Sequence, residues 1–305
     1  MGQTAAPGTP STTSVWVEGA LFWTAGPSIS VPALAGAAFP GLTFKPPSGY
    51  EGAAGFDYRW PGQQFWHVVA DVRYGHTKTA TASASSFAAT PFSPFGSPTA
   101  ILLTTTTAAS GTEKESHLVA DFMIGRDLGV GSNTPQLQFG IRVADLKASV
   151  QVSETGKRTF YSSNIFPGTI TTAQSASGIW STSFFGAGPR LALTGGVPIS
   201  GFWVFDYSGG LAVLIGDRRS SFTTTSSGAL FPGMSALATG STSTLTAVIN
   251  ADGWAALSYL FTPNVKVSAG IRADFYANPL VNFTGTLQDI DRLYWGPFVR
   301  LTGTF

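Results

Sequence analysis

The chain contains no cysteine. A disulfide scaffold, a thiolate zinc site and a cysteine nucleophile are therefore excluded. Charge is scarce: charged residues make up 11% of the 305, against roughly a quarter in an ordinary soluble domain. The 17 bases and 16 acids leave a net charge of +1, without the basic surplus of a nucleic-acid binder. Disorder needs low hydrophobicity and high net charge, and 43% of this chain is hydrophobic. No stretch approaches the ~18 consecutive apolar residues of a transmembrane helix. No signal peptide is visible, since Met1-Gly2-Gln3 runs into a small, polar segment through Thr13. Either the protein is cytoplasmic or a leader has been removed.

What is there favours removal. A chain poor in charge, rich in Gly, Ser, Thr and aromatics and without long apolar runs fits a transmembrane β-barrel. Alternation with period two is the primary signal. Trp66, Val68, Ala70, Val72 and Tyr74 share one face, and His67, Val69, Asp71, Arg73 and Gly75 the other. Val265, Val267, Ala269, Ile271, Ala273 and Phe275 alternate with Lys266, Ser268, Gly270, Arg272 and Asp274. Near the end, Leu293, Trp295, Val299, Leu301 and Phe305 alternate with Arg292, Tyr294, Arg300 and Thr302.

The same pattern predicts ten strands, over 13–26, 49–60, 64–79, 115–127, 135–153, 178–193, 201–217, 244–261, 264–276 and 292–305. In the fifth, the alternation slips near Asp145-Leu146-Lys147, at a bulge or above the bilayer. Short connections, Pro61-Gly62-Gln63, Gly129 to Thr134, Thr194 to Ser200 and Thr262-Pro263, alternate with long ones, 27–48, 80–114, 154–177, 218–243 and 277–291. The expectation is an all-β fold, a ten-stranded antiparallel transmembrane β-barrel of up-and-down topology over 13–305. It has short periplasmic turns, long extracellular loops and a flexible N-terminal arm, 1–12. An even strand count puts both termini on the periplasmic side. The long loops, low in complexity at Thr104–Thr107 and Thr223–Ser227, read as mobile.

Aromatics sort into two belts. Tyr58, Trp60, Trp66, Trp203, Phe205, Tyr259, Phe261 and Phe305 lie near the short turns, and Trp23, Tyr50, Tyr74, Phe275 and Trp295 near the long loops. Barrels place such residues at both lipid–water interfaces. A soluble β-sandwich core, the competing reading, has no reason to sort its aromatics by height.

The opposite phase assigns the lumen. Glu18, Glu51, Asp57, Asp71, Asp121, Asp206, Asp252 and Asp274 point inward with Arg59, Arg73, Arg142, Arg190, Lys266, Arg272 and Arg300. Trp16, Trp254 and Phe298 share that phase. Ten strands enclose little more than the eight that side chains fill, and buried charges must pair. Two readings stand: salt-bridge ladders between neighbouring strands that pack the lumen, and an ion-conducting constriction lined by both signs.

A catalytic reading would draw on His67, His76 and His117, with Glu113 and Glu115 close to the last. His76 is expected outward and His117 inward, so they should not converge, and no enzyme activity is expected. No metal-ligand spacing appears, and no cofactor is implied. Lys78, Lys147, Lys157, Arg158, Arg218 and Arg219 sit near the long-loop rim, where they could meet lipopolysaccharide phosphates or only solvent.

Several segments resemble the Legionella-type major outer membrane protein family, described as pore-forming. They are Phe185-Gly186-Ala187-Gly188-Pro189-Arg190-Leu191-Ala192-Leu193, and Gly296-Pro297-Phe298-Val299-Arg300-Leu301-Thr302-Gly303-Thr304-Phe305 at the C-terminus. Supporting segments are 52–59, 120–125 and 141–147. The resemblance implies a Gram-negative outer-membrane location with lipid and lipopolysaccharide around the barrel. Phe305 resembles the terminal aromatic read by the barrel-assembly machinery. Function is then expected to be a narrow passive pore for ions or small solutes. The alternative is a closed structural barrel that packs the membrane or displays loops, as a monomer or a homo-oligomer.

Overall fold

In a computed structural model of the chain, residues 12–34, 41–60, 65–92, 101–128, 135–162, 168–227, 235–283 and 288–305 are described. The N-terminal arm through residue 11 and the turns expected at 61–63 and 129–134 lie outside them. Thirteen strands occur among the described residues. They are β1 (Thr12–Ala25), β2 (Ile29–Val31), β3 (Leu42–Phe44), β4 (Ser48–Arg59), β5 (Trp66–Thr77), β6 (Ala80–Phe92) and β7 (Ile101–Asp127), followed by β8 (Gln136–Ser162), β9 (Gly168–Ser200), β10 (Trp203–Ser227), β11 (Ser235–Thr262), β12 (Val265–Val281) and β13 (Asp289–Thr304).

Ten of them form an antiparallel ring in the order β5-β4-β1-β13-β12-β11-β10-β9-β8-β7, closed by pairing of β5 with β7. The ring is a transmembrane β-barrel. Its outer surface is apolar, with Phe139, Ile141, Phe122, Ile271 and Val299 all 56–64% exposed. Aromatics edge this band at two heights. Trp66, Trp203, Phe261 and Phe305 are exposed toward the short turns, and Trp23, Tyr50, Tyr74 and Trp295 toward the other end. Trp60, Phe205 and Tyr259 also face outward, Tyr58 and Phe275 less fully. Trp23 and Trp295 pack across paired strands with ring centroids 4.9 Å apart and planes tilted by 39°.

Most of the expected long loops are strands. β7 and β8 have 27 residues each, β9 33, β10 25 and β11 28, against the ~9–11 that cross a bilayer. Thr104–Thr107 and Thr223–Ser227 belong to β7 and β10 and are not mobile loops. β-Branched Thr favours the pleated backbone, but Thr, Ser, Ala and Gly contrast too little in hydropathy to show a period. Thr194 to Ser200, expected as a turn, continues β9, and the reversal falls at Gly201, whose φ of +52° suits glycine.

The slip near Asp145 is not a bulge. The pairings of β8 with β7 and β9 run without a register break, and Ala144, Leu146, Ala148 and Val150 stay buried inside. What changes is the chemistry of each face. Below this point the outward residues are apolar, and above it they are Asp145, Lys147, Ser149 and Gln151, because the strand has left the bilayer.

Within the connection 27–48, expected as an extracellular loop, β2 and β3 turn inward. Gly26, at φ +138°, starts this turn against the backbone of Asp291, where a Cβ would collide. β2 and β3 form a small hairpin whose Ile29, Val31, Leu42 and Phe44 are at most 3% exposed. They join Phe22, Leu146, Val150, Trp180, Phe184 and Leu214 in one apolar core inside the extended part of the barrel. The facing ends of β12 and β13 bend in beside them, burying Leu280 and Ile290, with a register break between Tyr276 and Leu280.

The lumen as candidate functional site

Alternation brings the inward charges of the bilayer-spanning segments to one level, where they form a belt. Arg142 on β8 is its centre. Its Nε and Nη2 donate to both oxygens of Asp121 at 2.7 and 2.6 Å, and Nη1 donates to Asp252 at 2.8 Å and to Asn250. Arg190 donates to the same two aspartates, reaching Asp252 at 2.7 Å. Arg73 pairs with Asp274 at 2.8 Å, which also accepts from Asn250 at 2.6 Å and Tyr276 at 3.2 Å. Arg272 bridges Glu18 and Glu51 at 2.5 and 2.6 Å, and Arg300 returns to Glu18 at 2.8 Å. Glu51 also accepts from His117 Nε2 at 2.7 Å. Planar arginine forks suit this shared, multidentate pairing.

These pairs mostly do not follow neighbouring strands. Glu18 faces Arg300 and Asp121 faces Arg142 across adjacent strands, but Asp71 faces Asp121 and Asp252 faces Asp274. Like charges directly opposite repel, and Asp252 and Asp274 take partners from elsewhere in the ring. Arg73 on β5 reaches β12, and Arg142 on β8 reaches β11. The expected pairing between neighbours holds for Arg300 with Glu18 and Arg142 with Asp121, and the other pairs of the belt bridge across the lumen. Arg142 is 1% exposed and Asp121 2%, so solvent scarcely reaches this pair.

Toward the short turns a cavity of about 580 Å³ opens beneath the belt. Asp71 lines it and makes no ion pair among the described residues. Lys266 holds Asp206 at 2.7 Å on its wall, with Ser258 donating to the same carboxylate at 2.5 Å. Arg300 lies over the rings of Trp16 and Trp254 at 4.3 and 4.7 Å, and Arg272 over Phe298 at 5.2 Å. Asp57 meets His67 at 2.8 Å, and Arg59 meets Asp127 at 2.6 Å. These two pairs complete the placement of the sequence-assigned lumen residues.

Above the belt the interior is apolar with a few buried polar groups. His117 packs between the rings of Phe22 and Tyr294 at 5.3 and 4.4 Å. Arg292 holds Glu115 at 2.7 Å, both fully buried, and donates to Pro27 O at 2.9 Å, tying down the start of the inward hairpin. Glu113 is buried beside this pair, and burial together with the charge of Glu115 pushes its carboxyl up to about 8. Ser30 N donates to Asn282 at 2.8 Å, Leu34 N to Glu154 at 3.3 Å, and Val281 N to Thr182 at 3.3 Å.

Among the three histidines, His117 is inside and His76 stands on the outer face against Tyr50, 6.0 Å between centroids. They do not converge. Of the rim bases, Lys78, Lys147, Lys157 and Arg219 are exposed on the outer face, with Lys147 held to Asp145 and Arg219 to Asp217, both at 2.6 Å. Arg158 and Arg218 instead take the inward phase, and Arg218 binds Asp289 at 2.7 Å and Asn278 O at 3.2 Å. Both therefore point away from lipid.

Sequence reasoning did not pick out Asn250, Tyr276, Glu115 or Arg292 for this interior. Arg292 and Tyr294 share the phase of Arg300, a signal that places them inside. Nothing local in sequence pairs Arg292 with Glu115, 177 residues away.

No protein-family model matches the chain, and no curated protein matches it. Among solved structures, it is similar to the outer membrane protease OmpT from Escherichia coli. The two are 13% identical over 99% of each chain, with a TM-score of 0.41. The transport unit of the autotransporter AIDA-I from Escherichia coli is 8% identical over 96% of this chain and 90% of that one, with a TM-score of 0.34. The P. putida toluene transporter TodX is 7% identical over 99% and 91%, with a TM-score of 0.24. Likeness at this level assigns no chemistry to the lumen.

Proposed function

We propose that the chain is an outer-membrane barrel with a closed lumen, which anchors and displays the long β-sheet rising above the bilayer. The observation that carries this reading is the belt. Arg142 and Arg190 join Asp121 and Asp252 from four strands, with Arg142, Asp121 and Arg190 only 1–6% exposed, and the apolar plug of β2–β3 lies above them. Opening such a path means separating desolvated, hydrogen-bonded charges, each step costing several kcal/mol. The short-turn side then faces the periplasm, with a leader removed before insertion. Outer-leaflet phosphates meet Lys78, Lys147, Lys157 and Arg219, and Phe305 serves the assembly machinery.

The test is single-channel recording of the purified protein in a planar bilayer. A closed lumen predicts no steady current from wild type and current from the Arg142→Ala, Arg190→Ala double variant. A reproducible wild-type conductance would overturn it. The second reading, a narrow pore for ions or small solutes, is favoured by the 580 Å³ cavity beneath the belt, lined by both signs of charge, and by the family resemblance.

A further inference from the structure

Above the bilayer the ring does not stay closed. β4 and β1 stop near the upper aromatic belt and the ends of β12 and β13 bend inward, while β6 to β11 rise as an open six-stranded antiparallel sheet. This sheet has two free edges. β11 pairs with β12 only from Asn250 onward, so 236–249 has β10 on one side and no strand on the other among the described residues. At the far side, among the described residues, β6 pairs with β7 alone.

Proteins usually blunt an exposed edge with charge, proline, a bulge or a covering segment. Residues 236–249 contain neither a charged residue nor a proline, and the ladder from β11 to β10 runs without a register break. β6 carries no charge, and its one proline, Pro91, lies at its outer end. Leu237 and Leu245 stand 69% and 76% exposed beside the β11 edge. Both edges begin close above the upper belt, β6 beyond Tyr74 and β11 beyond the Ala251–Phe275 pair.

The two edges fit each other. Six alternating strands give a sheet whose edges run in opposite directions, β6 away from the bilayer and β11 toward it. Copies inserted in one membrane share one orientation and differ only by rotation about its normal. The β6 of one copy beside the β11 of the next is therefore antiparallel, like every other pair in this sheet. Two β11 edges brought together would be parallel, with a different and slightly weaker hydrogen-bond pattern.

We propose that the β11 edge, 236–249, is an interface on which a second copy of this chain adds its β6, continuing the sheet head to tail. The assignment goes beyond the closed-lumen reading and is independent of whether the lumen conducts.

The absence of native cysteine makes a clean test. Full-length Ser85→Cys and Ser241→Cys proteins, both substituted on the outward face, are made separately, mixed in phospholipid vesicles and treated with a short thiol cross-linker. Head-to-tail pairing predicts a cross-linked heterodimer at least tenfold above either variant alone. Adding Leu237→Lys and Leu245→Lys to the Ser241→Cys chain should reduce it at least fivefold, while a heat-dependent gel shift shows that the barrel is still folded. A mixture no more cross-linked than its parts, with the protein monomeric at high protein-to-lipid ratio, would overturn the proposal. So would a predominant Ser241→Cys homodimer, which marks β11–β11 pairing, or a monomer whose β11 takes up an unrelated extended peptide.

Discussion

The bilayer-spanning and projecting halves of the same strands are built with opposite faces. In the lower part of β8, Phe139 and Ile141 face out while Gln138 and Arg142 face in; higher up, Lys147, Gln151 and Ser153 face out while Leu146, Val150 and Val152 face in. The pleat never breaks. The comparison teaches that period two belongs to the backbone, whereas which face is apolar is set by what lies outside it. Lipid outside leaves charge to fill the lumen, and water outside allows an ordinary apolar core.

The largest expected effect comes from breaking the lower half at its centre. Arg142→Ala leaves Asp121 and Asp252 short of partners and should cost about 3–5 kcal/mol. It would be measured as a lower temperature for loss of the folded gel band and of β-sheet circular dichroism. An unchanged melting temperature would refute a filled lumen. In the upper half, Leu42→Ala should cost about 2–5 kcal/mol of plug packing, yet leave barrel melting nearly unchanged. Faster protease cleavage within 27–48 would reveal it. If the barrel melts as early as with Arg142→Ala, the halves are not separate in stability.

The inversion itself can be tested on one strand. Ile141→Arg places a base on the lipid face and should cost about 2–4 kcal/mol. Gln151→Arg, outward in the projecting part, should cost almost nothing in the same melting assay. Equal costs would mean that the bilayer boundary is misplaced.

A smaller effect depends on pH. The Glu113 carboxyl is held at about 8, above its ordinary 4.5, so between these values the folded plug keeps a proton that the opened one loses. Plug stability should therefore be full below about 4.5 and fall as pH rises through 8. Proteolysis within 27–48 at pH 6 and pH 9 reads this out. Glu113→Gln should flatten the difference, while Glu115 stays paired with Arg292. The smallest effect is expected from Lys147→Ala, whose exposed pair with Asp145 is worth about 0–1 kcal/mol, and thermal melting should not change.

Ten strands and both aromatic belts were legible because large apolar residues alternate with charges along each bilayer crossing, as from Trp66 to Tyr74. The upper strands were not, because Thr104–Thr107 and Ser241–Thr244 give both faces nearly the same hydropathy. The belt was legible as a set of inward residues but not as pairs. Opposition of Asp252 to Asp274 depends on register, and a bridge from Arg73 to Asp274 depends on lumen width.

The sequence by itself determined the antiparallel ring of ten and the inward phase of the charges. Both follow from side chains that point alternately to two faces of a strand, a local property that needs no partner. Only the tertiary structure decided how the inward charges pair, that β2 and β3 fold inward, and that the β6 and β11 edges stay unpaired among the described residues. Those outcomes depend on groups far apart in the chain, such as Pro27 with Arg292 and Glu51 with Arg272. Such contacts form only once closure of the ring has set how far an arginine must reach.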